Sequence, residues 1–212
     1  MRPEDLQASC ELALAHLTPL THRDWSVRAG DLEWSCRRTL DHIVDTMVLY
    51  ASYLASQATA RLQPLRNGND AIGIDELLTQ FRCSAAILVR VAQGSPAGTR
   101  AFHPSGMSDA PGFLAMGCSE ILTHTEDILQ GFGVPWSPEP DTDLCDAIIT
   151  RVFPWAPDAA EEPDRWQVVR WACGRTALPT HERLDENWWW HAAPLSEWDG
   201  TRNQRTTPPA WS

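Results

Sequence analysis

The chain of 212 residues contains no lysine, so all seventeen of its basic residues are arginines. This absence excludes Schiff-base chemistry, a P-loop lysine and a lysine general base. Acidic residues are in excess and give a net charge of -11. Because binding to phosphate backbones depends on clustered cationic side chains, we expect no nucleic-acid partner. No stretch approaches the roughly 18 apolar residues of a membrane-spanning helix, so we expect no membrane partner either.

The six cysteines are widely spaced, and no two of them form a Cys-x-x-Cys pair. Cysteines spread in this way over helical segments are typical of buried free thiols rather than of a disulfide framework. The first residues also lack the apolar run of a secretory signal. We therefore expect a reduced, cytoplasmic protein.

Hydrophobic spacing predicts a mainly α-helical fold. Four amphipathic segments predict a four-helix bundle over residues 1–135, and their ranges are 4–17, 35–61, 74–92 and 111–130. Ser35 is a suitable N-cap for the second helix, and Pro111 is a favourable residue for the first turn of the fourth. The four predicted helices lie in the first two thirds of the chain.

The remaining residues, 136–212, predict a short C-terminal extension that packs on the bundle. Residues 141–153 and 164–173 predict two shorter helices. The tryptophan-rich segment 187–191 could form a strand, and with it a small strand pair. It could serve as an apolar lid over the bundle end or as a wall of a substrate pocket. The tail, 201–212, is expected to be loose.

Three residues on the second and fourth predicted helices carry ligand chemistry. Glu120 and His124 are four residues apart and therefore point in nearly the same direction from one helix. His42 lies close to the apolar face of the second helix. A carboxylate and two imidazoles would form a three-ligand metal site with one coordination position left open, as catalytic zinc sites have.

Each of these residues alone is more often a satisfied core or capping group than a ligand. Their joint occurrence favours a metal, because a histidine and a carboxylate inside an apolar interface are costly unless both are satisfied. Asp127 could orient the second nitrogen of a ligating histidine, or it could lie on a solvated helix surface like Glu126. The other histidines at predicted loops, among them His22 and His103, are expected at the surface.

The motifs on these two helices together resemble a known superfamily. The start of the second helix follows the pattern Trp-Ser/Thr, six residues, His and an apolar residue, with the members Trp34, Ser35, His42 and Ile43. The fourth helix follows the pattern Glu-x-x-x-His-x-x-Asp with a glycine soon after, with the members Glu120, His124, Asp127, Gly131 and Gly133. The chain thus resembles the DinB-like four-helix metalloproteins, in particular the branch of mycothiol-dependent maleylpyruvate isomerase. The match covers roughly residues 4–133 and a shorter stretch, 151–175.

The resemblance implies a DinB-like bundle in which His42, Glu120 and His124 hold a divalent metal, with mycothiol as the thiol cosubstrate. Zinc is the expected metal, although nickel and cobalt accept the same ligands. Members of the branch carry a C-terminal arginine that is important for activity. Arg175 could anchor a carboxylate, form an ion pair or lie at the surface.

The leading functional prediction is a zinc-dependent, mycothiol-using S-transferase or isomerase that acts on a small electrophilic substrate. Zinc with two imidazoles and one carboxylate stays positively charged and would favour the thiolate form of a bound thiol. One alternative is a metal-dependent hydrolase on the same site, with Glu126 or Asp127 as a general base. Another is a non-catalytic metal-binding bundle. The sequence also leaves open a homodimer formed through helix faces.

Overall fold

A computed structural model describes residues 1–137, 139–185 and 187–202 of the chain. These residues form no regular strand, which confirms the mainly α-helical prediction. Their six α-helices are α1 Pro3–Leu17, α2 Cys36–Ser56, α3 Ile74–Gly94, α4 Ala110–Gly131, α5 Thr142–Val152 and α6 Arg165–Ala172. None of these helices combines the length and the apolar character needed to cross a bilayer.

Helix α2 begins where its sequence predicts but ends earlier. The Ser35 hydroxyl accepts a hydrogen bond from the backbone N–H of Arg38 at 3.2 Å, which confirms the N-cap. The helix was expected to reach residue 61 but stops at Ser56. The reason is that Gln57 adopts a left-handed conformation (φ 50°), and the chain then turns so that the Ala58 carbonyl accepts the backbone N–H of Phe102.

The first four helices pack pairwise around one core. Both α1 and α2 contact α3 and α4, and α5 covers a further side of α4. Helix α4 is therefore buried around most of its circumference, as expected for a helix that is apolar on nearly every face. Its polar side chains consequently lie in the interior, where each of them needs a partner.

The loop before α2 is fixed against the end of α4. Trp25 packs edge-on against Phe132, with 5.1 Å between the ring centroids. A Cβ atom at Gly131 would collide with the backbone carbonyl oxygen of Arg28, so only glycine permits this close approach. The loop thereby holds Trp34 beside the interface of α2 and α4.

The C-terminal extension packs on α4 through α5, and α6 packs on α5 in turn. The strand expected at 187–191 does not form among the described residues of this segment. Its backbone is instead bound by a helix end: the His191 N–H donates to the Val152 carbonyl at 2.8 Å, and the Arg151 guanidinium donates to the His191 carbonyl at 3.2 Å. Residues 203–212 of the tail lie outside the described residues, as do 138 and 186.

Candidate metal centre

The three predicted ligands meet between α2 and α4. The Glu120 Oε2 atom lies 3.1 Å from His124 Nε2 and 3.4 Å from His42 Nε2. The two imidazole rings are perpendicular, with 5.1 Å between their centroids. One ligand atom from each residue can be chosen so that all three lie within 4.8 Å of one another. Among the described residues, no other group of three histidine, cysteine or acidic side chains reaches this arrangement.

These separations fit a small divalent cation. Zinc binds nitrogen and oxygen ligands at about 2.0–2.2 Å, so neighbouring ligands of a tetrahedral site lie about 3.3–3.6 Å apart. The two distances measured from Glu120 agree with that spacing to within a few tenths of an ångström. The donor set of two imidazoles and one carboxylate is also one that zinc, nickel and cobalt accept.

Because the three side chains are largely buried, a charge on any of them is unfavourable unless it is paired. The side chains of His42, Glu120 and His124 are 17%, 12% and 10% exposed. Burial alone would raise the pKa of Glu120, but hydrogen bonds from His124 and His42 outweigh it and lower the pKa well below its usual value. A carboxylate that stays ionised between two imidazoles is a ready ligand for a cation.

Asp127 and Arg175 support His124 from behind. The Asp127 Oδ2 atom lies 2.9 Å from His124 Nδ1 and accepts a hydrogen bond from Arg175 at 2.9 Å. Asp127 is buried, so of its two predicted environments the structure shows the contact with histidine and not the solvated surface. This contact leaves Nε2 of His124 facing Glu120. A carboxylate behind a ligating histidine fixes the ring orientation and raises its basicity.

The Asp127 contact also raises the pKa of His124. Burial lowers that pKa, but the hydrogen bonds to Asp127 and Glu120 outweigh the burial. Arg175 forms an ion pair with Asp127, which was one of its three predicted alternatives.

Trp34 forms one wall of the centre. Its ring lies 4.9 Å from that of His42 and 6.5 Å from that of His124, measured between centroids. The Arg38 guanidinium lies over the Trp34 ring, 5.1 Å from its centroid. Trp34 thus restricts the two histidine rings to the side of the interface where Glu120 lies.

Glu126 is not the solvated surface residue that its sequence position suggested. It is buried and accepts a hydrogen bond from Arg170 of α6 at 2.9 Å. Burial raises the pKa of Glu126, although the Arg170 charge acts in the opposite direction. Since α6 follows α4 by more than thirty residues, no local pattern could have revealed this pair.

A cavity of about 560 Å³ borders the centre on its open side. His42 and Glu120 both line it, so two of the three candidate ligands face a space that can hold a small molecule. Trp190 of the C-terminal segment also lines the cavity. The tryptophan-rich segment was expected to be either a lid or a pocket wall, and Trp190 lies in the wall of this cavity.

His103 is a cavity residue that sequence reasoning missed. It was expected at the surface, but it is only 4% exposed and lines the same cavity as His42 and Glu120. Its ring lies 5.6 Å from that of Trp190, between centroids. It is covered in part by this distant segment of the chain, so its position in a predicted loop did not indicate that it would be buried.

The chain was also compared with protein families, curated proteins and solved structures. No family model, no curated protein and no solved structure matches it.

Proposed function

We propose that this protein binds one divalent metal ion, most favourably zinc, through His42, Glu120 and His124, and that it belongs to the DinB-like metalloproteins. The ligand spacing is compatible with a bound metal, and the Asp127–Arg175 pair gives His124 the kind of carboxylate support that ligating histidines have. The superfamily assignment rests on the sequence motifs of the second and fourth helices.

We further propose that the protein is an enzyme, a mycothiol-dependent S-transferase or isomerase that acts on a small electrophile. The observation that carries this proposal is the cavity, because it borders two of the three ligands and leaves one side of the centre accessible. A structural metal would instead be enclosed by protein ligands on all sides. Zinc, when bound, would supply a Lewis acid that favours the thiolate form of a thiol. Mycothiol as the thiol follows from the family resemblance.

The chain's own residues give this centre its orientation. Asp127 holds His124 so that Nε2 faces Glu120, and Trp34 limits the rotation of the His42 ring.

The ion pairs of Glu126 and Asp127 give the hydrolase alternative less support. Its two suggested general bases are already engaged: Glu126 pairs with Arg170, and Asp127 pairs with both His124 and Arg175. A general base needs a free carboxylate within reach of a water molecule in the cavity.

Thiol-dependent turnover tests the proposal. Zinc-loaded protein would be incubated with mycothiol and a chlorodinitrobenzene; in each turnover a C–S bond forms, chloride leaves and the thiol proton passes to solvent. We expect product formation that requires mycothiol and that is lost in His42→Ala but kept in the control His22→Ala, which changes an exposed histidine. Turnover that survives in His42→Ala would contradict a role of the metal. A reaction that proceeds equally without thiol would favour the hydrolase.

A further inference from the structure

Two polar atoms beside the metal centre, the Tyr50 hydroxyl oxygen and His103 Nε2, have no hydrogen-bond partner within the part of the chain that the structure describes. Tyr50 lies about two turns after His42 on α2, and His103 lies in the loop before α4. Both residues are 4% exposed, and both line the cavity. Neither the Tyr50 hydroxyl nor His103 Nε2 makes a hydrogen bond among the described residues. Because both residues line the cavity and these two atoms are not bonded to protein, both atoms are available to a ligand bound there.

The hydrogen bonds of His103 determine which of its nitrogens carries the proton. The backbone N–H of Ser105 donates to His103 Nδ1 at 3.1 Å. A backbone N–H can only donate, so Nδ1 is an acceptor and the proton of the neutral ring is on Nε2. His103 therefore presents an N–H donor to the cavity.

A tight turn holds this donor in place. The backbone N–H of Gly106 donates to the His103 carbonyl at 2.9 Å, and that of His103 donates to the Gly106 carbonyl at 3.2 Å. Gly106 has a φ of 127°, a conformation that a side chain would strain. The His103 ring then packs edge-on against Tyr50, with 5.5 Å between centroids. The two rings are therefore fixed beside each other.

Both donors are uncharged at neutral pH. Burial lowers the pKa of His103 to about 3, against an opposing effect of Glu120. Burial, together with the charge of Glu120, raises the pKa of Tyr50 well above its usual value. At neutral pH each group therefore keeps its own proton and can donate it in a hydrogen bond to a ligand.

The charges around the cavity favour an anionic ligand. Three arginines line it, Arg38, Arg61 and Arg66, against the two carboxylates of Asp45 and Glu120. Arg66 is paired with Asp41 and Asp45, and Arg38 also pairs with Asp45. Arg61 is exposed and has no ion-pair partner among the described residues, so its charge is the one available to an anion. A bound divalent metal would add further positive charge.

The remaining wall is largely apolar. Leu49, Tyr53, Leu62 and Trp190 line the cavity around the two donors. Rings and aliphatic side chains of this kind accommodate the apolar body of a ligand, while a few polar groups fix its orientation.

We propose that Tyr50 and His103 form a two-donor site for a carboxylate oxygen, and that this cavity binds a small organic acid with an apolar body. The site orients the ligand beside the metal centre, and both side chains bind the ligand directly. The binding of the acid does not depend on the proposed function. Its role as a substrate does, because the reaction requires the metal centre.

Benzoate binding to the full-length protein tests this site. Titration calorimetry would measure benzoate affinity for zinc-loaded and metal-free wild type, for Tyr50→Phe and His103→Phe, and for the exposed control His22→Phe. Both test variants keep an aromatic ring and remove a donor. Loss of one hydrogen bond to a charged acceptor is expected to weaken binding roughly tenfold or more. The control is expected to bind as wild type does, and the neutral analogue benzamide is expected to bind more weakly than benzoate.

A second readout does not depend on variants. With histidine side chains labelled by ¹⁵N, addition of benzoate is expected to shift the Nε2–H resonance of His103. Absence of benzoate binding to wild type, equal affinity for benzamide, or unchanged affinity in both Tyr50→Phe and His103→Phe would each overturn the proposal.

Elemental analysis of the same samples separates this proposal from the proposed function. If zinc does not bind but benzoate affinity still depends on the two donors, the carboxylate site stands and the metal proposal fails. If zinc binds normally and the donors have no effect, the carboxylate site alone fails.

Discussion

Replacement of Asp127 by asparagine tests whether the carboxylate behind His124 strengthens metal binding. Asp127 accepts hydrogen bonds from His124 and Arg175, both at 2.9 Å, and its side chain is only 5% exposed. Asparagine keeps one acceptor oxygen but removes the negative charge that makes His124 more basic. Loss of such a supporting carboxylate typically lowers metal affinity ten- to a hundredfold, which corresponds to about 1.4–2.7 kcal/mol. We expect a loss in this range.

Competition with a chromophoric zinc chelator would measure that affinity. Asp143→Asn is a matched control because Asp143 is exposed on the first turn of α5, and it should leave zinc affinity unchanged. Thermal unfolding of the metal-free proteins would show whether Asp127→Asn is folded under the assay conditions. A folded Asp127→Asn protein with wild-type zinc affinity would refute the role given to Asp127.

Three further predictions concern stability. Burial lowers the pKa of His103 from 6.5 to about 3, so the unfolded chain takes up this proton first, and the His103 contribution to the unfolding free energy is lost as pH drops below 6.5. The raised pKa of His124 acts in the opposite direction, so the test compares two proteins: the unfolding free energy of wild type in urea should fall more, or rise less, than that of His103→Phe as the pH drops below 6.5. An identical pH dependence in the two proteins would contradict the buried neutral ring. Gly131→Ala should lower the melting temperature, because its Cβ would meet the Arg28 carbonyl; an unchanged melting temperature would contradict this tight contact. Ser35→Ala should cost about 1 kcal/mol of unfolding free energy in urea, and Ser35→Thr, which keeps a cap, should cost less.

The candidate ligands could be predicted because they depend on local geometry. The spacing of Glu120 and His124 places both on one side of a helix, and the apolar pattern around His42 turns it toward the same core. Helix packing then needs only to make α2 and α4 neighbours, which a four-helix bundle readily provides.

The supporting contacts could not be predicted because they join distant segments. Arg175 reaches Asp127, and Arg170 reaches Glu126, from a C-terminal extension whose path over α4 no periodicity describes. The burial of His103 likewise depends on Trp190.

The strand prediction at 187–191 shows a related weakness of local reasoning. Consecutive tryptophans have high strand propensity, but a strand needs a partner strand along its edge. Here the backbone of His191 instead pairs with Val152 at the end of α5 and with the Arg151 side chain.

The metal content of the purified protein tests the central claim most directly. Elemental mass spectrometry would compare wild type, His42→Ala and the exposed control His22→Ala after incubation with zinc and removal of the excess. The proposed centre predicts about one zinc per chain in wild type and in the control, and loss of zinc in His42→Ala. Absence of zinc from wild type, or equal zinc in His42→Ala, would contradict a metal centre at His42, Glu120 and His124.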